Sequence, residues 1–152
     1  IQWTGATRQR RTIPWTQMRA DSDVLALADR IGTNRRVWRN YSTAIGEALI
    51  EAEAALVEVP QCRRKVIDVS GDGISNEGVL PVTRHAALKS QGVVVNALAI
   101  ETDDDDLTAW FFENLIVGEG AFVITANGFE DYPEQIRRKL QRETTRQLSS
   151  FE

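Results

Sequence analysis

The stretch Arg64-Lys65-Val66-Ile67-Asp68-Val69-Ser70-Gly71-Asp72-Gly73-Ile74-Ser75-Asn76 decides the fold. Lys65 to Ser70 is a short apolar run rich in β-branched residues, and the glycines after it permit a tight turn, so it reads as a buried strand ending in a loop. Outward from it, Val82 to Ser90 reads as a helix, Val93 to Ile100 as a strand and Leu107 to Ile116 as a helix. Ala121 to Ala126 follows as a strand, and Tyr132 to Leu148 as a closing amphipathic helix. Strands and helices that alternate, with near-continuous apolar strands, predict an α/β architecture: a Rossmann-like open, mostly parallel twisted sheet with helices on both faces.

Upstream, Ile1 to Ala6 and Thr12 to Trp15 read as two strands around the polar turn Thr7 to Arg11, with Pro14 confining the second to an antiparallel sheet edge. Asp21 or Ser22 can cap a helix whose Val24, Leu27, Ala28 and Ile31 share one face, ended by Gly32. A polar loop, Thr33 to Ser42, leads to a second helix. Its stripe is Ile45, Ala48, Leu49, Ala52 and Leu56, and it stops before Pro60.

With 152 residues, 42% hydrophobic and 26% charged, the chain is expected to form a single domain, 1–152, able to bury roughly 70% of its extended surface. Val93 to Ile100 is interrupted by Asn96 and falls well short of the about 20 apolar residues of a membrane helix, so no span is expected. The single cysteine, Cys62, excludes an internal disulfide framework. Eight arginines in residues 1–40 face only three aspartates, whereas Glu101 and Asp103 to Asp106 are acidic. The net charge of −4 argues against a nucleic-acid surface. Beginning at Ile1 rather than methionine, the chain is expected to be an N-terminally truncated or processed fragment.

Ligands in such sheets bind at the carboxyl ends of strands. Two loops qualify. One, Ser70 to Asn76, leaves the carboxylate of Asp72 uncovered; the other, Ser42-Thr43-Ala44-Ile45-Gly46-Glu47-Ala48-Leu49, places a hydroxyl at a helix start. Simpler roles stand beside these. Thr43 can be an N-cap and Asp72 a turn residue; Asp68, in mid-strand, requires a structural partner; Asn76 can orient the site or be a plain loop residue. His85 has no second ligand at metal spacing. Asp103 to Asp106 suit a helix N-terminus, and Trp3, Trp15, Trp38 and Trp110 suit packing.

The Thr43-x-x-Gly46-x-Ala48-Leu49 helix start, followed by an apolar strand ending in Asp72-Gly73, resembles the second and third parts of the metal-ion-dependent adhesion site of von Willebrand factor A domains. Arg64 to Gly73, Gly92 to Ile100 and Ile116 to Val123 most resemble a largely uncharacterised bacterial family with that domain. The resemblance implies that Thr43 and Asp72 hold magnesium, or manganese or calcium, with Ser42, Ser70 and Asn76 behind them. It also implies that the cation bridges to an acidic group on a protein partner, in the periplasm or outside the cell.

The family's first motif, Asp-x-Ser-x-Ser, has no counterpart before Thr43, which implies a missing N-terminal central strand and two or three missing ligands. An upstream segment of the same polypeptide is the expected partner that completes the sheet. Two further readings stand: a structural subunit with a degenerate, metal-free site, and a magnesium-dependent phosphatase. The second rests on Gly71-Asp72-Gly73-Ile74-Ser75-Asn76-Glu77, which resembles a motif of haloacid dehalogenase-type phosphatases. Such an enzyme also needs Asp-x-Asp at an earlier strand end, and Asp21-Ser22-Asp23 begins a predicted helix instead.

Overall fold

A computed structural model of the chain describes residues 1–39, 42–102 and 106–149, the last four by backbone alone. Its elements run β1 (Gln2–Trp3), β2 (Gln9–Arg10), α1 (Asp21–Thr33), α2 (Ile45–Val57) and β3 (Lys65–Gly71). A 3-10 turn (Pro81–Arg84) then leads into α3 (His85–Ser90), β4 (Val93–Glu101), α4 (Leu107–Asn114), β5 (Val123–Asn127) and α5 (Tyr132–Ser149).

The α/β, Rossmann-like expectation holds. Strands β3, β4 and β5 form a parallel sheet in that order, in register from Lys65↔Val93 to Gly71↔Ala99 and from Ala97↔Val123 to Glu101↔Asn127. Strand β4 is central and buried on both faces, which is why its sequence is apolar almost throughout. On one face Ile67, Val69, Val95, Ala97 and Ala99 pack with Ile45 and Leu49 of α2, Leu88 of α3 and Phe111 of α4. On the other, Leu98, Ile100 and Ala126 meet Tyr132 and Ile136 of α5.

That second face is also polar. Lys139 of α5 has a fully buried side chain that pairs with Asp68 of β3, and it lies 3.2 Å from Glu143. Glu143 accepts from Asn96 Nδ2 at 2.7 Å, and Asn96 Oδ1 accepts from the Phe122 amide at 3.2 Å. Burial pulls the Lys139 ammonium below its ordinary pKa, with Glu143 opposing the shift. Asp68 thus has the structural partner that a mid-strand carboxylate requires.

The N-terminal region departs from expectation. The antiparallel pair is a separate two-stranded sheet, Gln2↔Arg10 and Trp3↔Gln9, and not an edge of the parallel one. Its turn closes early, with Thr4 N donating to Arg8 O at 3.0 Å and Arg8 N to Gly5 O at 2.9 Å. Gly5 permits this because a Cβ there would lie 2.8 Å from Glu77 Oε2 and 2.9 Å from Ser42 Oγ. Thr12 to Trp15 is therefore not a strand; it crosses α2, with Trp15 Nε1 donating to Ala55 O at 3.0 Å. Helix α1 is capped by Ala20 rather than by Asp21 or Ser22. Asp23 accepts from the amides of Arg19 and Ala20 at 2.8 and 3.0 Å, so Asp21 and Asp23 sit in a helical first turn, away from any strand end.

Candidate functional site

The carboxyl end of β3 and the entry to α2 are tied to each other by backbone and short polar side chains. Asn76 N donates to Thr43 O at 2.9 Å while Asn76 Oδ1 accepts from Thr43 N at 2.8 Å, a two-bond clamp across loops far apart in sequence. Ser75 Oγ accepts from Ile45 N at 3.3 Å. That bond serves the first turn of α2, whose N-cap is Ala44 with no capping side chain of its own. Thr43 therefore precedes the cap position, and its hydroxyl does not cap the helix. Asn76 is more than a plain loop asparagine, since it fixes the position of the Thr43 backbone.

Ser42, Thr43, Ser70, Gly71 and Asp72 line one polar cavity of about 500 Å³, whose lining also includes Thr4, Asn34, Arg36 and Trp38. The sequence-derived residues are thus brought to one place, with Asn76 behind Thr43. Gly73 would bring a Cβ only to 3.5 Å from Thr43 Oγ1, so the hydroxyl lies against an uncluttered loop. Asp72 is exposed and, among the described residues, its carboxylate has no hydrogen-bonding or ion-pairing side chain. Arg36 gave no signal in the sequence and Trp38 read only as a packing residue, because both belong to an irregular loop whose path is set elsewhere: Gln2 donates to Arg35 O at 2.9 Å and accepts from Val37 N at 2.8 Å. Arg10 stands over the Trp38 ring, 5.6 Å from its centroid.

Glu77 holds this rim to the N-terminal hairpin, accepting from the Ser42 hydroxyl and from Ala6 N, the latter at 3.1 Å. The Ser42 bond first, then the Ala6 amide, with Arg8 nearby, hold its carboxyl below the ordinary value of 4.5. A carboxylate with a lowered folded pKa adds stability above its unfolded pKa, and that stability is lost as pH falls through the lowered value. Thermal unfolding of wild type should therefore worsen more steeply below about pH 4.5 than that of Glu77→Gln. Parallel pH profiles would remove Glu77 from this role.

Chemically, the donor set is hard oxygen: two or three hydroxyls and one unpaired carboxylate. Among the described residues no three of His, Cys, Asp or Glu gather as a metal cluster. The set is therefore unsuited to zinc, but it fits a magnesium-like ion that keeps several waters and takes few protein ligands. Thr43 and Asp72 are the groups that would hold it. Other singled-out residues have structural duties: Asp106 caps α4 by accepting from Ala109 N at 3.0 Å, and His85 Nε2 lies 3.0 Å from Asn114 O. Asp103 to Asp105 lie outside the described residues.

Residues 1–148 match the model of a family described as "Protein of unknown function (DUF1194)". No curated protein and no solved structure matches the chain.

Proposed function

The chain belongs to the DUF1194 family, and we propose that it is a non-enzymatic binding domain that holds a hard divalent cation through Thr43 and Asp72 and presents it to an acidic group on a partner protein. The observation that carries this reading is the meeting of the two residues in one cavity, where Asp72 has no competing side-chain partner among the described residues. A cation there would complete its octahedron with water, one of which a partner carboxylate replaces. The von Willebrand A-like relationship, and a site of action outside the cytoplasm, belong to the same proposal and rest on the Thr43 to Leu49 and Arg64 to Gly73 motifs.

The test is calorimetric titration of magnesium into wild type, Thr43→Ala and Asp72→Ala, repeated with manganese and calcium. Asp72→Ala should weaken binding by at least about tenfold, because it removes the only carboxylate of the set. Equal affinity in all three proteins, or none in wild type, rejects the reading.

A further inference from the structure

Strand β5 ends the parallel sheet on the side away from β3. It pairs with β4 and, among the described residues, with no strand on its other side. Phe122 O accepts from Ala97 N at 3.0 Å, so the backbone groups of Phe122, Ile124 and Ala126 turn toward β4. Those at the alternate positions, Val123, Thr125 and Asn127, point away from it. Asn127 N fits this pattern, because it donates outside the ladder, to Asp131 Oδ2 at 3.0 Å. Natural edge strands resist self-pairing with charges or proline, and β5, Val-Ile-Thr-Ala-Asn, carries neither.

The two ends of this edge differ, and each suits the other. At the amino end a cavity of about 520 Å³ opens beside Ala121 and Val123, lined also by Phe112 of α4 and Arg142 of α5. The Arg142 guanidinium lies 3.9 Å from the Phe122 ring centroid. At the carboxyl end the chain turns after Asn127 and presents Phe129, 61% exposed, followed by the exposed Glu130. Among the described residues neither Arg142 nor Glu130 has an ion-pair partner.

We propose that two copies of this chain associate edge to edge through β5, antiparallel about Thr125, to form one continuous sheet. The two-fold axis sets Val123 of each copy opposite Asn127 of the other, and the amino end of each edge beside the carboxyl end of its mate. Phe129 then reaches the cavity of the other copy, and Glu130 approaches the other copy's Arg142. Both charges sit on the face that carries α5, and an axis perpendicular to the sheet keeps that face common to the two copies. A foreign strand could satisfy the backbone of Thr125, but a second copy also brings the ring, the carboxylate and the guanidinium, each of them twice. An edge of five residues makes a small interface, so a reversible dimer with a Kd on the order of 10 μM is expected. No cation takes part, and the inference stands apart from the magnesium reading.

The test is sedimentation equilibrium of the whole chain in EDTA, over concentrations that span that constant. Arg142→Glu and Glu130→Arg, both at exposed positions, should each weaken dimerisation by at least about tenfold, because every dimer then opposes like charges at two places. An equimolar mixture of the two variants should dimerise about as well as wild type, since both opposed pairs are again of unlike charge. Thr125→Pro removes an N–H that points away from β4, so the chain should keep its circular dichroism and lose the dimer. Hydrogen exchange in residues 123–127 should slow as wild type is concentrated. A chain that stays monomeric overturns the inference and leaves the edge to another occupant. A dimer indifferent to all three substitutions overturns it by placing the contact on another face. A mixture no stronger than its components, or β5 exchange independent of concentration, rejects it as well.

Discussion

Lys139→Ala is expected to lower the unfolding free energy by about 3 kcal/mol, read as a drop in the urea midpoint at unchanged slope. The ammonium is fully buried and serves two carboxylates, Asp68 and Glu143, whose side chains are 30% and 13% exposed. Removing it leaves both without their cation. Water can reach Asp68 and soften its loss, which puts the estimate at the lower end of the roughly 3 to 5 kcal/mol for breaking a buried pair. Glu143 keeps Asn96 as a donor but not the charge that balances it. The ammonium also stands over Phe122, with Nζ 5.6 Å from the ring centroid, and truncation forfeits that contact as well. The triple replacement Asp68→Asn, Lys139→Met, Glu143→Gln removes every charge together and should stay near wild type. If Lys139→Ala melts like wild type, the network is an ornament of α5 and not a support.

Gly46→Ala is the second large effect. Alanine is ordinarily favoured over glycine within a helix, by at most about 1 kcal/mol at Gly46, the second residue of α2. Here the new Cβ would fall far inside the van der Waals contact distance of the Val79 carbonyl oxygen and 2.7 Å from its carbon. Backbone, unlike a flexible side-chain tip, cannot swing aside, so overpacking of about 3 kcal/mol outweighs the propensity gain and the net loss is about 2 kcal/mol. The damage should also reach the cavity. Val79 N donates to Glu47 Oε1 at 2.8 Å, and the segment from Asn76 to Val79 carries the Thr43 clamp at its other end. Chemical denaturation measures the first effect, and magnesium titration of the folded variant measures the second. A variant as stable as wild type would show that the Val79 segment moves freely and that α2 and the loop are not locked to each other.

The parallel sheet was legible because β3, β4 and β5 announce themselves by apolar runs bounded by turn residues. The hairpin was not, since two-residue strands carry almost no periodicity. The turn closes early at Gly5, whose missing side chain leaves room for Glu77 and Ser42, both distant in sequence. Helix α1 was legible as an amphipathic helix, but its burial was not: the pattern shows which face is apolar and cannot show whether anything packs on it. Thr43 was legible as a candidate by motif, yet the choice between cap and free hydroxyl turned on Ala44 and Ser75.

Outside the N-terminal hairpin, local chemistry thus settled what the larger segments are: which runs become strands, which become helices, and which loops leave hydroxyls and a carboxylate at strand ends. Those properties depend on neighbours within a few residues and are written in the order of the chain. Only the folded molecule decided who meets whom. The Asn76 clamp on Thr43, the Lys139 pair with Asp68 and the place of β4 between β3 and β5 each join residues dozens of positions apart. Such encounters are fixed by the packing of whole elements against one another, and no local pattern records them.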